Sequence, residues 1–153
     1  MNHPSVDITN RALLREQLLS LDPDTAPLWG NMKAQQMVEH LVDQVQWTNG
    51  KKTPTCERPA DEAHQRKMLM VYSDMLIPQN IFSGHLPENY QYSSMVAAIN
   101  ALVQELDAFD QYFLQPGAVA IHGGFGPMNH EEWLIWHGKH FAHHFTQFGL
   151  IRE

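Results

Sequence analysis

From Ser93 to Leu114 the chain reads SSMVAAINALVQELDAFDQYFL, a run without Gly or Pro. In it Val96, Ile99, Leu102, Val103, Leu106, Phe109 and Phe113 form one continuous stripe at helical spacing. Such a stripe is the face of an amphipathic helix, and Pro116-Gly117 closes it. A helix carrying that much apolar surface on one side is marginal alone in water and must be covered by neighbouring elements. No stretch of the chain alternates apolar and polar residues as a half-buried strand does, so the cover is expected to be helical.

Three other segments supply it. The first, about Asp7 to Leu21, sets Ile8, Leu14, Leu18 and Leu21 near helical spacing and stops at Asp22-Pro23-Asp24. The second follows Pro27-Leu28-Trp29-Gly30, with Asn31 as its predicted N-cap. It carries Met37, Val38, Leu41 and Val45 and ends at Asn49-Gly50. The last opens on Asn129-His130-Glu131-Glu132, where Asn129 and Glu132 have capping-box spacing, and runs to Phe148 with Gly149 as its C′ residue. Between the second helix and the Ser93 helix lie some forty residues holding four of the nine prolines. A structureless link that long is unusual inside a compact domain. A short helix at about Ala60 to Ser73 is therefore expected there, followed by an extended excursion over the surface. The reading is all-α: one domain over residues 1–153, a four-helix bundle with one long crossover.

Charge narrows the function classes. Seventeen acidic residues stand against ten basic ones, for a formal net charge of −7. No basic run exceeds a pair such as Lys51-Lys52, so the electrostatic footprint of a nucleic-acid or anionic-membrane surface is missing. The N-terminal stretch reaches Asp7 and Arg11 before any apolar run of signal-peptide length, and no later segment approaches membrane-spanning length. The expected location is the cytoplasm. The single cysteine, Cys56, sits between Pro54 and Pro59 with no histidine beside it in sequence, and is expected to be an inert loop thiol. Met68, Met70 and Met75 are expected to pack in the core or a pocket rather than bind a soft metal.

Four of the ten histidines fall within residues 137–144. On a helix, taking His140 as zero, His144 lies at about 40°, His137 at about 60° and His143 at about −60°, all within one third of the circumference. Trp133 and Trp136 occupy the middle of that arc, so it is the face that meets the rest of the bundle. His140 and His144, at i and i+4, project from successive turns toward one point, the spacing that lets one helix give two nitrogens to a metal. By spacing alone the i,i+3 pairs His137/His140 and His140/His143 compete with it, and any pair needs a third ligand from elsewhere. His40, on a mixed face with Gln36, Met37, Asp43, Gln44 and Trp47, suits a cavity wall. It joins the cluster only if its helix packs against the last one. His3, His64, His85, His122 and His130 are expected in exposed or capping positions, with His122, ahead of the turn GGFGPMN, the candidate exception.

The stretches WGNMKAQQMVEHLVD and HGGFGPMNHEEWLIWHGKHFAHHFTQFGL resemble the DinB/YfiT-like superfamily, in particular a branch ending FG…EEW…KH…HH…QFG. The resemblance covers somewhat under a third of the chain. It implies an up-down-down-up four-helix bundle, often a homodimer, with a divalent metal held by three histidines. One of these comes from the second helix and two from an H-x-x-x-H on the last, which here are His40, His140 and His144. His137 and His143 then become neighbours of the ligands. Relatives in that superfamily include transferases and isomerases using low-molecular-weight thiols.

Three neutral imidazoles leave a coordination position open, as catalytic sites do. All-imidazole ligation suits Zn²⁺ or Ni²⁺ among others. The expected function is a metal-dependent hydrolase or thiol-dependent transferase acting on a small molecule. Asp43, one turn beyond His40, is the candidate catalytic base, Gln44 its neighbour, and Trp47, Trp133 and Trp136 are aromatic walls. The alternative is a metal-binding or stress-associated bundle without turnover.

Overall fold

The structure is a computed structural model and describes residues 3–79 and 86–152. His85 lies outside the described residues, as does part of the extended excursion. The chain is mostly helical: α1 (Arg11–Leu19), α2 (Ala34–Gln46), α3 (Ala60–Val71), α4 (Met95–Tyr112) and α5 (His130–Gln147), with a hairpin of β1 (Ala120–His122) and β2 (Gly126–Met128) before α5. None of these helices is long and apolar enough to cross a membrane.

The hairpin corrects the all-helical expectation. Each strand is three residues long, paired antiparallel with Ala120 opposite Met128. That is too short to display an alternation, and Pro127 in the second strand works against a strand reading. The turn is made by Gly123 to Phe125, and Gly126, which opens β2, has φ +77°, a conformation that glycine adopts without a Cβ penalty.

Helix ends follow their side-chain caps. Asn129 accepts from the N–H of Glu132 (2.9 Å) while Glu132 accepts from the N–H of Asn129 (3.0 Å), the predicted capping box. Ser94 accepts from the N–H of Ala97 to start α4, and Gly149 at φ +73° follows the last residues of α5. Two starts differ from expectation. Asp7 takes the N–H and hydroxyl of Thr9 in a local turn, so α1 waits for Asn10, whose side chain accepts from the N–H of Leu13. In α2, Gln36 caps the N–H of Lys33 (2.9 Å), moving the start past Asn31.

The core forms where α4 lies on α2 and α1, with α5 against α2. Leu14, Leu18, Met37, Leu41, Ile99, Leu102, Leu106, Phe109, Phe141 and Phe145 are all fully buried. The buried line of α4 is Met95, Ala98, Ile99, Leu102, Leu106 and Phe109, whereas Val96 is exposed.

Around this core, α5 gathers the irregular parts of the chain. Trp133 Nε1 donates to the Ala120 carbonyl (3.0 Å), pinning the hairpin. Lys139 Nζ donates to the Met70 carbonyl (2.8 Å) at the end of α3, where a cation complements the free carbonyls. Tyr72 donates to Glu132 (2.7 Å). The N-terminal segment crosses α5 at Gly138: the Val6 N–H donates to the Gly138 carbonyl (3.0 Å). The α1–α2 connection closes on the far end of α5, where the Leu28 N–H donates to the Gln147 carbonyl (2.7 Å). Hairpin and α3 thereby stand beside the histidine face of α5 and leave a cleft between them.

Candidate metal centre

Because α2 packs against α5, His40 meets His140 and His144. The Nε2 atoms of His40 and His140 are 3.3 Å apart, and those of His144 and His140 are 3.1 Å apart. One nitrogen from each of the three rings lies within 4.8 Å of the others, the one such group of three among the described residues. The i,i+4 pair is thus the one that converges. Of the competing partners, His137 turns into the core and His143 meets the Trp29 ring at 5.4 Å.

The protonation pattern follows from the partners of each ring. His144 Nδ1 faces Gln147 Oε1 at 2.8 Å, and the Gln147 amide is oriented by donating from Nε2 to the Trp29 carbonyl (3.0 Å). With the amide oxygen toward it, Nδ1 carries the hydrogen, so Nε2 of His144 presents a lone pair to the cluster. His140 Nε2 faces two nitrogens at hydrogen-bond distance, and its single N–H satisfies at most one of them. Two nitrogens remain lone pair to lone pair or hydrogen to hydrogen unless a cation sits among them.

Burial, the largest influence on each ring, pushes His40 down to about 4 against the opposing pull of Asp43. It takes His144 to about 3, helped by His40, and His140 well below the usual imidazole range, helped by His144 and His40. All three are neutral at pH 7, the form that ligates. Four nitrogens about 2.0–2.1 Å from a tetrahedral Zn²⁺ stand about 3.3–3.4 Å apart, close to the two spacings that His140 makes with His40 and His144.

The cluster opens on a cavity of about 1040 Å³. Trp136 stacks on the His140 ring (6.1 Å, 14°), and Trp47, Trp133, Met70 and Met75 add apolar wall. Trp133 is buried, whereas Trp47 is half open to solvent. Asp43 lines the same cavity, but its carboxylate is held: Lys52 pairs with one oxygen and Gln44 Nε2 donates to the other at 3.4 Å. Cys56 is half-buried, its thiol against the Arg58 carbonyl (3.9 Å). Met68 is exposed on α3.

His137 has a different task. Thr48 spends its hydroxyl hydrogen on the Val45 carbonyl (2.8 Å) and so accepts from His137 Nε2 (3.1 Å). The ring packs on Phe109 and Trp133, and burial pushes it down to about 3. It ties α5 to the end of α2 and is a core residue.

Two residues carry more than sequence reasoning assigned them. Gln147 lies three residues after His144, a spacing that puts both on one helix face, but its link to the Trp29 carbonyl depends on the fold of a loop. His122, the candidate exception among the histidines expected to be exposed or capping, both holds its turn and lines the cavity. Comparison with protein-family models, with curated proteins and with solved structures gives no match.

Proposed function

We propose that this chain is a divalent-metal protein of the DinB-like kind, an up-down-down-up bundle in which His40, His140 and His144 hold Zn²⁺ or Ni²⁺ and a small molecule reacts in the adjoining cavity. The observation that carries this reading is the convergence of three neutral imidazole nitrogens, with Nε2 spacings of 3.1 and 3.3 Å, on a cavity large enough for a substrate. What such an ion supplies when bound is acidity: it lowers the pKa of water to about 7, or deprotonates a thiol outright. Hydrolysis and transfer from a low-molecular-weight thiol are the two reaction classes that follow. The chain's own residues set the stage. Trp136 covers one side of the His140 ring, and Gln147 holds the His144 tautomer. Asp43, kept near His40 by Lys52, is the candidate base for a proton leaving the nucleophile.

Metal analysis of tag-free protein tests the reading. One equivalent of Zn²⁺ or Ni²⁺ per chain is expected, and its loss in His40→Ala and in His140→Ala with helical circular dichroism retained. Absence of metal after supplementation, together with variants that melt like the wild type, would overturn it. Retained metal affinity of the folded wild type but unfolding of both variants would assign the ion a structural task instead.

Gln147 gives a graded version of the same experiment. Partners that hydrogen-bond to the far nitrogen of a metal-ligating histidine are worth about 10–100-fold in affinity. Gln147→Leu leaves the buried Nδ1–H of His144 without its acceptor, so competition with a chromophoric chelator is expected to show metal affinity falling by about that factor. An affinity equal to wild type would remove Gln147 from the site.

A further inference from the structure

His122 stands at the end of β1, immediately before the hairpin turn, and its ring is spoken for on one edge. Nδ1 accepts from two backbone N–H groups of the turn, Gly124 (2.9 Å) and Phe125 (3.2 Å). A nitrogen accepting two hydrogen bonds carries no hydrogen, so the proton of the neutral ring resides on Nε2. The ring is clamped flat against Phe125 (3.8 Å between centroids, 6°) and edge-on to Trp136 (5.4 Å). Among the described residues no group hydrogen-bonds to Nε2, and the residue, partly buried, lines the same cavity as the histidine cluster. Gaining a second proton would require breaking the turn, and burial already holds the ring down at about 4. His122 is therefore a fixed, neutral N–H donor on a wall otherwise made by Phe125, Trp136 and Met70.

We infer that His122 is a ligand-positioning residue: its Nε2–H donates to a carbonyl or carboxylate oxygen of a small molecule whose apolar body lies along Trp136 and Phe125. The inference deepens the reading of the cavity given above and rests on it for the neighbouring metal. It narrows the substrate class to compounds carrying an oxygen acceptor on a flat or apolar frame. Arg66, on the same cavity, adds a cation suited to the carboxylate case.

Benzoate is a direct probe, and two substitutions separate the two edges of the ring. His122→Asn places an amide oxygen near the Nδ1 position, keeps the turn's acceptor and removes the donor from the cavity. His122→Gln reaches with an amide N–H toward the Nε2 position and gives up the turn's acceptor. Benzoate titration of the Co²⁺-loaded chain, read by its visible absorption and by tryptophan fluorescence, is expected to show binding about 10-fold weaker in His122→Asn at an unchanged melting temperature. In His122→Gln the melting temperature is expected to fall while benzoate binding stays within about threefold of wild type. Long-range ¹H–¹⁵N NMR of the wild type reads the ring itself, with or without metal. The Nε2–H tautomer from pH 6 to 8, and a shift of that resonance on adding benzoate, are expected. The Nδ1–H tautomer, or a His122→Asn variant that binds benzoate like wild type, would overturn the assignment. Failure of Co²⁺ to bind, with the benzoate-dependent shift present, sinks the metal reading and leaves His122 as the positioning donor.

Discussion

Metal-free protein is expected to unfold when the pH is lowered from 7 to about 5, a range in which most small domains are still near their stability maximum. Five imidazoles are responsible: His40 and His122, held at about 4, His137 and His144, at about 3, and His140, well below the usual range. In every case burial of the ring is the main cause, and the sign follows. The unfolded chain takes up a proton at each of these positions below about pH 6.5, the folded chain does not, and stability falls by about 1.4 kcal/mol per pH unit for each such group. Above pH 6.5 the effect vanishes, and below the folded values it levels off. Summed over five groups, roughly 7 kcal/mol is lost by pH 5.5, comparable with the 5–15 kcal/mol that holds a typical domain together. Acid titration followed by far-ultraviolet circular dichroism should give a steep transition absorbing several protons. His137→Asn, which removes one group outside the cluster, should make it shallower. A chain still folded at pH 4 would contradict the neutral burial of these rings. Adding Zn²⁺ should move the transition to lower pH, because the ion competes with protons for three of the five.

Gly138→Ala is the second large effect. A methyl at this position would lie 2.6 Å from Ser5 Oγ and 2.8 Å from the Val6 carbonyl oxygen. The first neighbour can rotate away; the second is backbone and is tied to α5 by the Val6 N–H bond. Alanine in mid-helix gains about 1 kcal/mol over glycine, but here it must push the N-terminal segment off the helix. The lost hydrogen bond, the steric overlap and the exposure of Val6 and Ile8, both buried, outweigh that gain, and a net loss of about 2 kcal/mol is expected. Urea unfolding measures it. Ser5→Gly in the same background should recover only part, since the backbone clash remains; an unchanged midpoint in Gly138→Ala would show that the segment does not clamp the helix.

Local chemistry was legible in the sequence where it is self-contained. The stripe of α4, the Asn129/Glu132 capping box, Gly149 and the short α3 over Ala60 to Val71 depend on residues within a few positions of one another. So does the i,i+4 convergence of His140 and His144. What escaped depends on distant partners or on very short elements. The hairpin strands are three residues each, below the length at which a period of two can be seen. Asp7 looks like a helix start until Thr9 is found bonded to it. Gln147 and His122 owe their roles to the Trp29 carbonyl and to a turn backbone, which no spacing rule connects to a histidine cluster. His40 needed the α2–α5 contact itself.

That contact has a kinetic consequence. His40 and His140 are one hundred residues apart in sequence, and α5 also receives the N-terminal segment, the α1–α2 connection, α3 and the hairpin. Of the described helices it is the one the ribosome delivers last. The nascent chain therefore exposes His40 for most of its synthesis without a partner, and the three nitrogens come together only on completion of α5. Non-local closure of this kind slows folding relative to a bundle with local contacts. If the three histidines hold an ion as proposed, its tight capture would wait until the chain's topology is correct, and loading would report on finished folding.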